Sequence, residues 1–350
     1  MEPDPAHRVL AGSTEPLCRA YDVGLLDLDG VVYLQEQPVR GAPRALAAAR
    51  AAGMRLEFVT NNASRRPAEV ASLLTALGVP AVPAEVVTSA QAAAALLADR
   101  LPAGSRVLVI GADALVAEVT EAGLTPVESA DARPDAVVQG YSADLGWRQL
   151  AEAALAVRAG ALWVATNGDL TLPSPRGPLP GNGALLAAVR AATGQAPDEI
   201  VGKPHPRLHA ESVRRSGARR PLVVGDRLDT DIEGAVNAGT DSLLVLSGVT
   251  RPVDLLCAPP RRRPTYVASH LEGLVTAHPA VGVTARTACG PWTATRTGGE
   301  VLLAGEGEAE QEIDALRALC GAAWSGPGAP ERVRAAGACA EVVLAELGLP

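Results

Sequence analysis

Residues 23–30 read VGLLDLDG. An apolar run carries through to Leu26 and meets Asp27, Leu28 and Asp29 before Gly30 stops the pattern. This predicts a short strand buried on both faces, with two carboxylates delivered at its carboxyl end. Working outward, PRALAAARAAG (43–53) has a proline start, an Ala-rich body and a glycine stop, the marks of a helix. RLEFVTNN (55–62) is the next strand and PAEVASLLTALG (67–78) the next helix, and the alternation continues through RVLVIGAD, PDAVVQGY, ALWVATNGD, PLVVGDR and DSLLVLSG. Such alternation predicts an α/β chain built on mainly parallel, doubly wound, Rossmann-like sheets.

The strand ends divide into two sets. Asp27, Thr60, Lys203 and Asp226 stand at or just past strand ends and carry polar chemistry, whereas the strands between about 89 and 197 do not. The expected layout is a loose leader at 1–20, a core domain in two halves at 21–88 and 198–275, an inserted α/β cap at 89–197, and a small α+β module at 280–350. With 350 residues and 35.7 kDa, two or three compact units are expected in any case.

Composition narrows the function classes. Hydrophobic residues make up 48% and mean hydropathy is +0.15, enough apolar material for true cores. No apolar run reaches membrane-helix length, and the opening MEPDPAHRVLAGSTEP is acidic where a secretion signal is basic and then apolar, so a cytoplasmic protein without membrane contact is expected. A net charge of −8 and only one Phe, four Tyr and four Trp argue against a nucleic-acid partner. The cysteines at 18, 257, 289, 320 and 339 have neither disulfide-framework nor zinc spacing. Of the 31 Lys and Arg residues one is lysine, Lys203, in a chain whose Ala, Arg and Gly content suggests a coding bias that replaces lysine by arginine. That survival singles Lys203 out.

Asp-x-Asp alone is a weak signal; its company strengthens it. Thr60-Asn61 follows an apolar strand, Gly202-Lys203-Pro204 comes later, and Gly225-Asp226-Arg227 is followed by Asp231. In this order, DLDGVVY (27–33), FVTNN (58–62), GKPHP (202–206) and VVGDRLDTDIEGA (223–235) resemble the four signature motifs of the haloacid dehalogenase-like phosphatases, over about residues 21–275. The insertion, with ATNGD and PLPGNGA, is similar to the large α/β cap of the branch holding phosphoglycolate, pyridoxal phosphate and nitrophenyl phosphate phosphatases. Length and tail resemble the bacterial glycerol 3-phosphate phosphatases, which carry a C-terminal acetyltransferase-like module.

The resemblance implies roles residue by residue. Asp27 is the nucleophile that becomes an aspartyl phosphate and Asp29 the acid and base. Lys203 neutralises the nucleophile and the phosphoryl group, while Thr60 and the Asn61 amide hold phosphoryl oxygens. Asp27, Asp29 through its carbonyl, and Asp226 ligate Mg²⁺, with Mn²⁺ or Co²⁺ as substitutes, and Asp231 completes the metal set by ligation or by orienting a water or Lys203. In the 167–183 loop, Asp169, Leu172 and Arg176 are specificity candidates. Asp231 also reads as a first-turn helix acid, and residues of the loop as a surface hairpin.

The expected activity is release of phosphate from small monoesters, glycerol 3-phosphate first and phosphoglycolate next. A phosphomutase and a non-catalytic acyl-CoA or sugar-phosphate sensor are the alternatives. Asp29 argues against a dehalogenase. The C-terminal module is about half the length of a full acetyltransferase and lacks a clear pyrophosphate loop, so a packing or homodimerising role is expected of it rather than acyl transfer.

Overall fold

The computed structural model describes residues 10–172, 174, 176–308 and 311–350. Of the segment read as a leader, residues 1–9 lie outside these. The rest of it carries a short helix, Leu17–Ala20, with Leu10 and Leu17 buried and Leu10 bridged to Val281. By its contacts the chain divides into two compact units. One runs up to Leu56 and resumes over Ser216–Pro350; the other is Glu57–Arg215.

The strands in chain order are β1 (Val23–Leu26), β2 (Arg55–Thr60), β3 (Val86–Thr88), β4 (Arg106–Ile110), β5 (Thr125–Val127), β6 (Ala136–Gln139), β7 (Leu162–Ala165) and β8 (Glu199–Ile200). They continue with β9 (Pro221–Gly225), β10 (Asp241–Val245), β11 (Tyr266–Ala268), β12 (Arg286–Cys289), β13 (Trp292–Thr297), β14 (Glu300–Gly305) and β15 (Arg332–Ala336). Helices named below are α1 (Pro67–Ala76), α2 (Ser89–Arg100), α3 (Asn182–Thr193), α4 (Pro206–Ser216), α5 (Glu312–Ala323) and α6 (Ala338–Glu346). Local chemistry sets their starts. Pro67 opens α1 while Glu69 reaches back to the Arg66 N–H at 2.7 Å, and Thr88 and Gln91 cap α2 reciprocally, each bond 3.2 Å.

In the first unit, β11, β10, β9 and β1 form a parallel sheet in that order, with Leu25 opposite Val223, Val223 opposite Ser242 and Leu243 opposite Tyr266. All four residues of β1 are buried, as expected of a strand covered on both faces. β2 starts beside this sheet, the Arg55 N–H donating to the Asp22 carbonyl at 3.1 Å. Because the strands are parallel, the residues following β1, β9 and β10 emerge at one end, where open α/β sheets hold ligands.

The same unit contains the C-terminal module. β12, β13 and β14 form an antiparallel meander, and β15 returns parallel to β14 after α5. Its inner face does not form a core of its own. Trp292, Leu303, Leu316, Leu319, Trp324 and Leu344 belong to one apolar cluster with Leu10, Leu244, Leu255 and Val267. Polar contacts fix the junction. Buried Arg317 donates to Asp314 Oδ1 at 2.7 Å, to the Val267 carbonyl on edge strand β11 at 2.7 Å, and to His278 Nδ1 at 3.0 Å. His278 Nε2 then donates to the Gly273 carbonyl at 2.8 Å, and burial, with Arg317 beside it, pushes the imidazole pKa down. Arg261 and Arg262 pair with Glu233, but Arg263 of the same triplet is buried with its guanidinium 5.0 Å from the Trp324 ring centroid, so the basic loop is only partly solvated.

The second unit holds a five-stranded parallel sheet, ordered β8, β7, β6, β4, β5, and the parallel pair β2–β3. Leu108, Val137, Trp163 and Leu186 are central to its apolar core. Among the described residues no helix is long and apolar enough to cross a membrane.

Candidate active site

The first unit assembles an acidic centre at the carboxyl ends of β1 and β9. The Asp27 N–H donates to the Val224 carbonyl at 2.8 Å, which carries the β1–β9 ladder one residue further and places Asp27 beside the Gly225-Asp226 turn. The chain then reverses at Gly30, whose φ of +84° suits glycine and whose N–H bonds the Tyr33 carbonyl at 2.8 Å. Asp226 and Asp231 are buried, at 0% and 1% exposure, and Asp27 is half-buried. One carboxylate oxygen from each of these three lies within 4.8 Å of the others. Asp29 is exposed and its carboxylate is not in this group.

Glycine makes this crowding possible. A Cβ at Gly30 would lie 2.5 Å from Asp226 Oδ2, one at Gly248 2.0 Å from the same atom, and one at Gly225 2.2 Å from the Asp231 Cβ. Two backbone donors orient the acids. The Val249 N–H donates to Asp226 Oδ2 at 2.6 Å, and the Arg227 N–H to Asp231 Oδ2 at 3.1 Å. Asp231 sits in a π-helical turn, Leu228–Ile232, ahead of the helix Glu233–Asn237, so it faces the acidic centre rather than only starting a helix. Burial acts to raise the neighbouring Asp229 carboxyl, yet the Arg227 guanidinium, at 3.0 and 3.1 Å, holds it below the ordinary aspartate range.

Each pair of carboxylates about 4 Å apart repels by about 1 kcal/mol in a water-like medium and about 4 kcal/mol at an effective dielectric near 20. A positive charge offsets this, and three oxygen donors in a glycine-lined cradle fit a hard divalent cation.

The second unit assembles a centre of different chemistry around Asn61, just past β2. Thr60 is buried and its Oγ1 accepts from the Asn62 N–H at 3.1 Å. Asn61 Oδ1 accepts from the Lys203 N–H at 2.8 Å, and Asn61 Nδ2 donates to the Lys203 carbonyl and to Asp169 Oδ2, each at 3.1 Å. Lys203 is half-buried and its Nζ donates to the Val59 carbonyl at 3.2 Å. Asn61 therefore joins Asp169 and Lys203, but not the other two loop candidates. Leu172 is half-buried in the hairpin of Thr171–Leu172 with Leu179–Pro180, and Arg176 is exposed at its turn.

Several members of these centres escape a reading of the sequence. Asn167 Nδ2 and Ser89 Oγ both donate to the Asn61 carbonyl, at 2.8 and 2.6 Å. Asn182 Nδ2 donates to the carbonyls of Asn167 and Gln139, at 2.8 and 3.3 Å. Asn167-Gly168 and Asn182-Gly183 look like turn signals, yet both Asn residues are buried with side chains directed at backbone. Gly202 adds a close fit, since a Cβ there would lie 2.6 Å from Asn61 Oδ1.

Parallel sheets flanked by helices, an acidic, cation-fitting centre at strand ends and a lysine-bearing loop are the parts a metal-assisted hydrolase of anionic esters needs. The chain belongs to the haloacid dehalogenase-like hydrolases. Residues 24–125 match the family model described as haloacid dehalogenase-like hydrolase, residues 200–274 a second HAD-hydrolase-like model, and residues 289–349 a GCN5-related N-acetyltransferase-like domain. The chain is 48% identical to the D-glycerol 3-phosphate phosphatase of Mycobacterium tuberculosis over 314 residues, 88% of this chain and 87% of that protein. It is 36% identical to an acid sugar phosphatase of Staphylococcus aureus over 239 residues, 68% of this chain and 91% of that one. The crystal structure of the M. tuberculosis glycerol phosphate phosphatase in complex with magnesium superposes with a TM-score of 0.89 at 46% identity, covering 96% of this chain and all (100%) of that one. A 4-nitrophenylphosphatase from Thermotoga maritima gives 0.69 at 32% identity, covering 74% and 98%.

Proposed function

We propose that this protein hydrolyses glycerol 3-phosphate to glycerol and inorganic phosphate with Mg²⁺ at Asp27, Asp226 and Asp231. The observation that carries the reading is the approach of those three carboxylates to within 4.8 Å in a cradle that only glycine leaves open. The 48% identical relative that acts as a D-glycerol 3-phosphate phosphatase supports the substrate.

In this reading a carboxylate oxygen of Asp27 forms a bond to phosphorus, the bond from phosphorus to the glycerol oxygen breaks, and Asp29 gives its proton to that leaving oxygen. Water then attacks the aspartyl phosphate, its proton passes to Asp29, and phosphate leaves as the Asp27 carboxylate is restored. Bound Mg²⁺ offsets the carboxylate charges and polarises the phosphoryl group. Lys203 adds a compact positive charge for the phosphoryl oxygens, and Thr60 with the Asn61 N–H donates to them. Asp169, Leu172 and Arg176 belong to the loop that selects the alcohol, within a cap at about 89–197. Action in the cytoplasm as a homodimer, without nucleic acid, completes the proposal.

Phosphate release from glycerol 3-phosphate, phosphoglycolate, pyridoxal phosphate, sugar phosphates and nucleotides, measured with Mg²⁺ and with EDTA, tests it. A dominant glycerol 3-phosphate rate that EDTA abolishes is expected. A Mg²⁺-dependent rate led by another ester overturns the substrate, and no release from any ester overturns the chemistry.

A further inference from the structure

We infer that the Asn61 side chain is a positioning residue that fixes the peptide carrying Lys203 and ties it to the Asp169 loop, so that one carboxamide couples turnover to substrate selection. The inference rests on the phosphatase reading above for what Lys203 and Asp169 do, and on the geometry of the second unit for how Asn61 acts on them.

A carboxamide offers two N–H donors and one acceptor oxygen. Here Oδ1 takes the Lys203 N–H, one Nδ2 proton goes to the carbonyl of the same residue, and the other goes to the Asp169 carboxylate. The partners also fix the orientation. Exchanging O and N would set an amide against the Lys203 N–H and an oxygen against both a carbonyl and a carboxylate, three repulsive contacts. Bonding the N–H and the carbonyl of one residue ties down the two peptides on either side of the Lys203 Cα and so restrains its φ and ψ, which govern the direction in which its long side chain leaves. Gly202, immediately before, has no room for a Cβ against Asn61 Oδ1. The fit is therefore steric as well as polar.

Asn61 is itself held. Its carbonyl accepts from Ser89 Oγ and Asn167 Nδ2, and Asn167 Oδ1 accepts from the Asp169 N–H at 3.2 Å. Asn182 then holds the Asn167 carbonyl from the start of α3. Asn61, Asn167 and Asp169 thus close a ring of hydrogen bonds, and a shift of the Asp169 loop is transmitted to the Lys203 peptide through a single side chain. A residue that merely filled space would not bind the N–H and the carbonyl of one residue and a carboxylate at once.

The test compares wild type with Asn61→Asp, Asp169→Asn, the double variant and Asn61→Ser, at matched melting temperatures. Asn61→Asp keeps the acceptor for the Lys203 N–H but sets a second carboxylate against Asp169. We expect kcat to fall about 10- to 100-fold and KM to rise, the range seen when supporting groups of a site are removed. Asp169→Asn alone keeps the bond from Asn61, because a carboxamide oxygen still accepts it, but removes the carboxylate of the selecting loop, so its KM is the reference against which the double variant is read. In the double variant the donor and the carboxylate exchange places, so KM should recover while kcat stays low, the bond to the Lys203 carbonyl still being absent. Asn61→Ser removes all three bonds without adding charge and covers the case in which Asn61→Asp does not fold. Because Lys203 is the only lysine, its modification rate by an amine-reactive reagent, followed by peptide mass mapping, reads its placement without turnover. A change of about threefold or more in Asn61→Ser is expected. Unchanged kcat, KM and labelling in Asn61→Ser, or additive losses in the double variant, overturn the inference. No phosphate release from wild type with altered labelling in Asn61→Ser overturns the phosphatase reading and leaves the positioning role standing.

Discussion

The acidic centre of the first unit and the carboxamide centre of the second solve the problem of burying polar groups in opposite ways. Asp27, Asp226 and Asp231 are like charges held together by shape, through missing side chains at positions 30, 225 and 248 and through two backbone N–H donors. Asn61, Asn167 and Asn182 are neutral, and their partners include backbone carbonyls, two backbone N–H groups and one carboxylate within the unit. The first centre keeps electrostatic repulsion that a cation relieves; in the second, the carboxamides of Asn61 and Asn167 meet chain partners through both oxygen and nitrogen, while the buried Asn182 Oδ1 meets none among the described residues. Clustered like charges thus remain under stress, whereas a carboxamide whose oxygen and nitrogen are both matched does not.

The sharpest way to break this comparison is Asp27→Asn. It removes one charge from the acidic centre and the proposed nucleophile together, so phosphate release should fall by at least about 10³-fold while the fold persists. A variant retaining more than a tenth of wild-type turnover would show that the acid beside Asp226 is not the nucleophile. A smaller effect is expected from Gly248→Ala, whose Cβ would lie 2.0 Å from Asp226 Oδ2. Asp226 must shift, and the Mg²⁺ concentration for half-maximal activity should rise about 10- to 100-fold. An unchanged Mg²⁺ dependence would mean that the cradle is not tuned by shape.

The smallest effect is a pH dependence of stability, set by how far a pKa falls on folding. Burial lowers the His209 pKa from 6.5 to about 4, so α4 holds this imidazole neutral in the folded chain. The unfolded chain takes up a proton near pH 6.5, hence the contribution to stability is full above that pH and declines as the pH falls towards about 4. A lowered carboxylate has the same sign in a more acidic window: Asp22, raised by burial but lowered further by the N–H groups of Arg219 and Arg220, contributes above its ordinary value of 3.8 and loses that contribution only in stronger acid. Denaturant titrations at pH 7, 5.5 and 4.5 should show a decline that His209→Gln flattens. Parallel pH profiles for the two proteins would remove His209 as its source.

How far each centre can be read from sequence follows from the same difference. The acids at β1 and β9 are legible because a charge directly after a buried apolar run, as in VGLLD and LVVGD, contrasts with what precedes it. The sheets are legible for the same reason, since the apolar runs are continuous and glycine or proline ends most helices. Asn167 and Asn182 are not, because an Asn-Gly pair signals a turn whether its carboxamide faces solvent or backbone. The cradle is not legible either. Gly248 meets Asp226 only after β10 has been formed, and no local pattern announces contact between residues so far apart. Asn61 stands between: its place after β2 marks it for attention, but its three bonds depend on Asp169 and Lys203, more than a hundred residues on.

The apolar cluster shared by the sheet and the C-terminal module also has a consequence for synthesis. Chains emerge N-terminus first at about 5–20 residues per second. β11 is therefore complete several seconds before Trp324 and Leu344, which cover the same flank, leave the ribosome. Throughout that interval Leu244, Leu255 and Val267 lack their later partners and the edge strand has no guanidinium at the Val267 carbonyl. The nascent sheet thus keeps an apolar flank uncovered until the last helices arrive.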